Sequence, residues 1–328
     1  MSLLGIDVGG TKLAMAVGGR DGAPTHRMRR AIALTGDWRR DLEVLTDDAR
    51  RLLEEATKAG ASPLERIGVS VPGPLDREAG LLLNPPNLPG WSEVPVGSVL
   101  EAAFGVETRV ENDANAAALA EWHFGAGRLQ RDSLVYLTMS TGVGGGLILG
   151  GRLHRGAHGG AGELGHAAVE LPGIVCACGL QGCLEAYVGG NAWRDRLRRV
   201  TPDESDVLAR AGGAKESIRP EHLVEAARTG DAFALREMSR WLDYLSRGLA
   251  TLVMTLEPEV IVLGTIAVAA GEELCFAPLR ERVAARLWPH QAARLSIVPA
   301  ALGEDLPYRA GLAVALEGEA SEPDAGAR

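Results

Sequence analysis

Leu3-Leu4-Gly5-Ile6-Asp7-Val8-Gly9-Gly10-Thr11-Lys12-Leu13-Ala14-Met15-Ala16-Val17 opens the chain with two apolar runs on either side of a Gly-Gly-Thr turn. Two β-prone runs joined by a tight glycine turn predict a β-hairpin. The pattern comes back. From Leu134 an apolar run leads into Ser140-Thr141-Gly142-Val143-Gly144-Gly145-Gly146, and a second apolar run continues to Gly151. Each hairpin heads a stretch in which strands are followed by helices. This recurrence predicts a duplicated α/β chain: two α/β domains around a central cleft, with a glycine turn from each half to grip one phosphate chain.

The expected halves are residues 1–118, a smaller domain completed by a C-terminal helix at about 302–318, and residues 119–301, a larger domain. Residues 319–328 are polar and read as a disordered tail. Within the halves, Leu42, Leu45, Ala49, Leu52 and Ala56 form one stripe of a helix over 41–59. Ile67 to Val71 reads as a short strand ended by Pro72-Gly73-Pro74, and the proline-rich stretch 84–91 as a loop. Val106 to Val110 reads as a strand, and Ala114 to Phe124 as a helix started by Asn112-Asp113. Two helices are expected within 221–256, then a buried strand at Val260 to Gly264 and a last helix at Ala310 to Leu316.

A chain of 328 residues is long enough for two cores. Its formal net charge of -9 argues against partners that need a broad basic face, so neither nucleic acid nor an anionic membrane is expected. Residues 133–151 are uncharged but rich in glycine, which suits strand–turn–strand and not a lipid-facing helix. With no basic, apolar leader before the first strand, the expected compartment is the cytoplasm.

A phosphate turn needs small residues, so that backbone N–H groups can approach, and hydroxyls that donate. Gly9-Gly10-Thr11 and Thr141-Gly142 supply both, and Asp7 stands where a carboxylate could orient a hydrated Mg²⁺. Either turn alone could be an ordinary glycine hairpin; the pair, similarly placed, points to phosphate. No G-x-x-x-x-G-K-[ST] run occurs, which excludes a P-loop NTPase. Phosphoryl transfer to an alcohol also needs a carboxylate to take the hydroxyl proton. Glu111-Asn112-Asp113-Ala114-Asn115 offers Asp113 at a helix start, where Asn and Asp also serve as plain caps.

Three of the four cysteines, Cys176, Cys178 and Cys183, fall close together after Glu163-Leu164-Gly165-His166. Three thiolates and one imidazole complete a tetrahedral shell with no open position, which predicts one structural Zn²⁺ per chain. Glu163 and Glu185 flank this clip, so a metal that fixes the loop also fixes two acceptors for substrate hydroxyls. The second ring nitrogen of His166 stays available to a substrate.

Taken together, these segments resemble the ROK family (repressor, open reading frame, kinase). The resemblance rests on Asp7-Val8-Gly9-Gly10-Thr11-Lys12, Glu111-Asn112-Asp113-Ala114-Asn115, Ser140-Thr141-Gly142-Val143-Gly144-Gly145-Gly146 and the Glu-x-x-His…Cys-x-Cys…Cys-x-Glu run, all in family order. It implies an actin-like ATPase (ribonuclease H-like) fold and an ATP:hexose 6-phosphotransferase, glucokinase-like. N-acetylhexosamine kinases and fructokinases belong to the same family and are the alternatives. A sugar-sensing transcriptional regulator is disfavoured, because no helix-turn-helix is expected before Asp7.

Residue by residue, the resemblance implies Asp113 as catalytic base. Asn112, Glu163, His166 and Glu185 would bind the sugar, with Gly73 and Asn87 completing its pocket. Asp7, Gly9, Gly10, Thr11, Lys12, Thr141, Gly142 and Gly264 would hold Mg²⁺ and ATP. A homodimer is implied as well. Two places depart from the family pattern: Thr265-Ile266 follow Gly264 where consecutive glycines are usual, and Leu306-Pro307-Tyr308-Arg309-Ala310-Gly311 lacks the usual glycine-alanine run.

Overall fold

The computed structural model describes residues 1–130 and 132–318, so the expected tail at 319–328 lies outside the described residues. The chain divides into two compact units. One comprises Met1–Arg128, Gly156–Gly159 and the stretch from Ala301 onward; the other comprises Leu129–Arg155 and Gly160–Ala300.

In the first unit, β1 (Ser2–Val8), β2 (Lys12–Gly18), β3 (Pro24–Ala31), β4 (Leu64–Val71) and β7 (Glu107–Asn112) form one sheet in the order β3-β2-β1-β4-β7. A two-stranded piece, β5 (Leu75–Asp76) and β6 (Leu81–Leu82), stands apart from it. Strand β1 runs antiparallel to β2 and parallel to β4, and β4 parallel to β7. Its central place explains why Leu3, Leu4, Ile6 and Val8 are all buried, as strands covered on both faces are continuously apolar. Edge strand β3 alternates between partial burial and exposure and carries Arg27, Arg29 and Arg30, charges that discourage further pairing. Helices α1 (Trp38–Lys58), α2 (Val96–Phe104) and α3 (Asp113–Phe124) complete the numbered elements of this unit. Leu42, Leu45, Ala49 and Leu52 of α1 join Leu4, Ile6 and Val8 in one core.

The C-terminal helix (Leu306–Leu316) packs against β1, β4 and α3. The approach is close enough that no side chain fits. A Cβ on Gly68 would stand 2.1 Å from the Gly311 carbonyl oxygen, and one on Gly311 would stand 2.3 Å from the Ile6 nitrogen. Gly311 and Ala315 therefore meet the need for small residues that the segment 306–311 appeared to neglect. The helix also begins at Leu306 and not at Ala310, since Pro307 is well placed in a first helical turn. Packing of α3 on this helix keeps α3 whole within the first unit, so the division falls after Arg128 where 118 was expected.

The second unit repeats the topology. β8 (Leu134–Met139), β9 (Val143–Leu149), β10 (Arg152–Leu153), β11 (Val260–Thr265) and β12 (Ser296–Pro299) take the order β10-β9-β8-β11-β12, with β8 antiparallel to β9 and parallel to β11. Between the strands lie α4 (Glu185–Val188), α5 (Gly190–Val200), α6 (Asp206–Arg210), α7 (Pro220–Arg228) and α8 (Ala232–Leu256), and after β11 come α9 (Ile266–Gly271), α10 (Ala277–Ala284) and α11 (Pro289–Ala292). Val135, Leu137 and Met139 of β8 pack in one core with Trp193, Trp241, Leu245 and Leu249. Both glycine turns thus join the central strand of a sheet to its antiparallel neighbour, as the hairpin readings of 3–17 and 134–151 require. No helix among the described residues is long and apolar enough to cross a membrane.

Gly68→Ala should cost on the order of 3 kcal/mol of stability, because its Cβ meets backbone that cannot yield. Gly160→Ala, where a Cβ meets nothing within 4 Å, should leave the melting temperature nearly unchanged. Thermal denaturation of the two variants checks the helix-on-sheet packing.

Candidate active site

The first turn is closed by the Gly9 N–H donating to the Lys12 carbonyl at 2.9 Å, leaving Gly10 and Thr11 exposed at its tip. A Cβ on Gly10 would lie 2.8 Å from the Asn87 carbonyl oxygen, so the turn and the proline-rich loop touch through backbone. That loop is anchored by Leu88 and Trp91, both fully buried. The Trp91 indole N–H donates to Asp41 Oδ2 at 3.0 Å, and Asp41 Oδ1 accepts from the Thr35 amide and hydroxyl. Asn87 is exposed above these anchors.

At the end of β1, Asp7 accepts a 2.6 Å hydrogen bond from the Ser70 hydroxyl of β4. Burial pushes the Asp7 carboxyl up to about 6, and the negative charge of Asp113 adds to the rise, while the Ser70 hydrogen bond and Arg29 oppose it. A bound cation would offset both causes of the rise, so a carboxylate here suits a Mg²⁺ site.

Strand β7 runs on through Asn112, two residues beyond the expected end, and α3 starts at once with Asp113. Asn112 is the cap: its Oδ1 accepts from the amides of Ala114 at 3.0 Å and Asn115 at 3.3 Å. Asp113 stands exposed in the first turn, its Oδ1 accepting from the Ala114 N–H at 2.8 Å, where the helix dipole favours a carboxylate. Asn112 Nδ2 lies 3.2 Å from where a Cβ on Gly73 would stand, so the Pro-Gly-Pro segment and the β7–α3 junction meet. Glu111 was missed in the sequence. It is buried, its Oε1 accepts from the Asn112 amide and the Asn115 side chain at 3.0 Å each, and Arg77 pairs with Oε2 at 3.3 Å. An acidic residue on an inward position of a strand end was the available signal.

In the second unit the turn is held from two sides. The Val143 N–H donates to Glu185 Oε2 at 2.7 Å, and the Gly190 and Asn191 amides donate to the carbonyls of Ser140 and Thr141 at 2.8 and 2.9 Å. Gly142 leaves room for the Glu185 carboxylate, since a Cβ there would stand 2.3 Å from it and displace it.

The ligand atoms of His166, Cys176, Cys178 and Cys183 all lie within 4.8 Å of one another. His166 Nδ1 is 3.8 Å from Cys176 Sγ, and Cys178 Sγ is 3.7 Å from Cys183 Sγ, so these two thiols are not a disulfide. These separations match the roughly 3.8 Å edge of a tetrahedron with metal–sulfur bonds of about 2.3 Å. The other imidazole nitrogen, Nε2, lies 3.9 Å from Glu163. One ring nitrogen thus faces the thiols and the other faces a carboxylate, as a metal-ligating imidazole with an outer partner does. Without a metal, burial raises Cys176 and Cys183, the latter up to about 12, while the Leu180 N–H draws Cys178 down.

Gly264 lies in β11, and a Cβ on it would stand 3.0 Å from the Tyr136 hydroxyl. The next residue, Thr265, takes a φ of 48°, a region that favours glycine. Its hydroxyl bonds the Met139 carbonyl and lies 3.3 Å from Thr138 Oγ1. The residue type departs from the family pattern, yet the backbone keeps the form glycine would take. Beside it opens a cavity of about 590 Å³ whose wall includes Ser140, Thr141, Arg194, Arg198, Arg219 and Ile266. The Nε of Arg198 is buried without a hydrogen-bond partner. These arginines were also missed in the sequence: Arg194 and Arg198 lie on α5, and Arg219 stands at the start of α7.

The sequence pattern of the ROK family matches residues 3–317. The chain belongs to the ROK family. It is 36% identical over 309 residues to the glucokinase of Thermotoga maritima, which covers 93% of this chain and 94% of that protein. The crystal structure of a ROK hexokinase from Thermus thermophilus superposes with a TM-score of 0.81 at 35% identity, covering 96% of this chain and 98% of the other. A ROK family glucokinase from Streptomyces griseus, crystallised with glucose and AMPPNP, gives a TM-score of 0.76 at 30% identity, covering 96% and 99%. This ROK chain accordingly has the actin-like ATPase fold, in agreement with the repeated sheet order of its two units.

With its raised carboxyl, Asp7 contributes stability that is fully present below its unfolded value near 3.8 and is lost as pH rises through about 6. Asp7→Asn keeps the shape and the Ser70 contact, so the variant should match the parent at pH 4. At pH 8 it should exceed the parent by on the order of 2 kcal/mol. Denaturant melts of metal-free protein at the two pH values measure this.

Proposed function

We propose that this chain is an ATP-dependent kinase that transfers the γ-phosphoryl group to the 6-hydroxyl of a hexose, with glucose as its substrate. The observation that carries the reading is the β7–α3 junction: Asn112 is the helix cap, and Asp113 stands exposed at the first helical position. The 36% identity to a glucokinase supports the choice of sugar.

Asp113 accepts the proton of the 6-hydroxyl as its oxygen bonds to the γ-phosphorus, and the bond from that phosphorus to the β,γ-bridging oxygen breaks to release ADP. The two turns carry the phosphates: Gly9, Gly10, Thr11 and Lys12 from the first unit, Thr141 and Gly142 from the second. Mg²⁺ bound near Asp7 would neutralise charge on the β- and γ-phosphates. The nucleoside end takes the cavity beside Gly264, where Arg194, Arg198 and Arg219 present a cationic wall. Asn112, Glu163, His166 and Glu185 bind sugar hydroxyls, with Gly73 and Asn87 shaping the pocket. His166, Cys176, Cys178 and Cys183 hold one structural Zn²⁺, whose closed shell supplies rigidity and no reactive position. Free thiols in that set suit the reducing cytoplasm.

Asp113→Asn should lower kcat for glucose by about 10²- to 10⁴-fold and leave glucose affinity within a few-fold. An ADP-release assay over glucose, mannose, fructose, N-acetylglucosamine and N-acetylmannosamine measures both the variant and the preference. Turnover of Asp113→Asn near the parent rate would refute the base assignment, and a parent inactive on glucose would refute the substrate.

A further inference from the structure

Glu185 is the residue through which the metal clip reaches the second glycine turn. It lies two residues after Cys183 and heads α4. Its two carboxylate oxygens face different structures. Oε1 lies 3.8 Å from Cys176 Sγ, and Oε2 accepts the Val143 N–H at 2.7 Å. The missing side chain of Gly142 makes room for that contact. Immediately downstream, Gly189 also packs close, since a Cβ on it would stand 3.4 Å from Gly142 Cα. Gly190 and Asn191 then bond the carbonyls of Ser140 and Thr141. The segment 183–191 therefore starts on a metal ligand and ends clasping every peptide of the turn.

A sugar ligand alone would have no reason to spend one oxygen on a backbone amide. We propose that Glu185 is a positioning residue for the phosphate turn, and that the metal clip fixes the 140–143 turn through it. The turn itself is short, Ser140, Thr141 and Gly142, closed only by the Ser140 N–H donating to the Gly142 carbonyl at 3.0 Å, and its other peptides must stay open for a ligand. A carboxylate on a backbone amide is a charge-assisted bond, and the backbone that carries it is tied to the clip two residues away at Cys183. Loss of metal frees Cys176 and Cys183, and with them the position of Glu185. The ligand of this turn, the ATP phosphates, rests on the proposed kinase reading; the coupling itself does not.

The test uses the whole zinc-loaded chain, with metal content measured first. Amide hydrogen exchange at Val143 is followed in the parent with zinc, after chelation, and in Glu185→Gln and Glu185→Ala. Chelation and Glu185→Ala should each raise exchange at Val143 by about tenfold, the size of one lost hydrogen bond. Chelating Glu185→Ala should add little, and Glu185→Gln, whose amide oxygen can still accept, should stay near the parent. Affinity for AMPPNP measured without sugar should fall in the same pattern, a readout that a role confined to sugar binding would leave unmoved. Protection at Val143 unchanged by chelation, or additive losses from chelation and Glu185→Ala, would overturn the proposal. Absence of zinc from the purified chain would also overturn it. Glu185→Ala that is globally unfolded is recognised by exchange rising across β8 and β11 as well, and Glu185→Gln against chelated parent then decides. Failure to phosphorylate glucose would count against the kinase reading and leave the Val143 result standing.

Discussion

A turn that receives phosphate through its backbone can carry only small side chains, so neighbouring segments have to help hold it. The rest of this structure follows from that constraint. Gly9-Gly10 and Thr141-Gly142 present bare peptide at the head of a sheet, and each is gripped by a different neighbour. The first rests against the backbone of the Asn87 loop, which is itself pinned by Trp91 and Asp41. The second is clasped by Glu185 and the first amides of α5. Where the chain supplies a grip it also gives up a Cβ: one on Gly10 would meet the Asn87 carbonyl, and one on Gly142 would displace the Glu185 carboxylate.

The same sheet serves both units, three antiparallel strands followed by two parallel ones, but the supports differ. In the first unit the β7–α3 junction sets the chemistry. Buried Glu111 fixes the backbone at Asn112, Asn112 caps α3, and Asp113 follows as an exposed first helical residue. Asp7 sits in the same unit, close enough for its charge balance to feel Asp113. Two carboxylates of one sign near one another are costly unless a cation is shared nearby, which is the electrostatic condition a magnesium nucleotide satisfies.

Much of this was legible in the sequence because it depends on local chemistry. Glycine turns between apolar runs, a Cys-x-Cys…Cys set after Glu-x-x-His, and Asn-Asp before an alanine-rich helix each specify their own geometry over a few residues. What stayed hidden depends on distant partners. The inward position of Glu111 at a strand end hinted at burial, but not that its carboxylate meets Asn115 and Arg77. Glu185 could be recognised as polar and close to the clip, but not as bonded to Val143, more than forty residues away. The boundary after Arg128 and the early start of the last helix follow from packing of that helix on α3 and β1, which no local pattern encodes. At Thr265 the residue type pointed away from glycine, while hydrogen bonding of its own hydroxyl preserves the backbone form.

The central claim is transfer of phosphate from ATP to the 6-oxygen of glucose, and phosphorus NMR of the wild-type chain with Mg·ATP and glucose tests it most directly. The account predicts one phosphomonoester, on O6, formed mole for mole with ADP. Inorganic phosphate in place of the ester, or an ester on the anomeric oxygen, would contradict it.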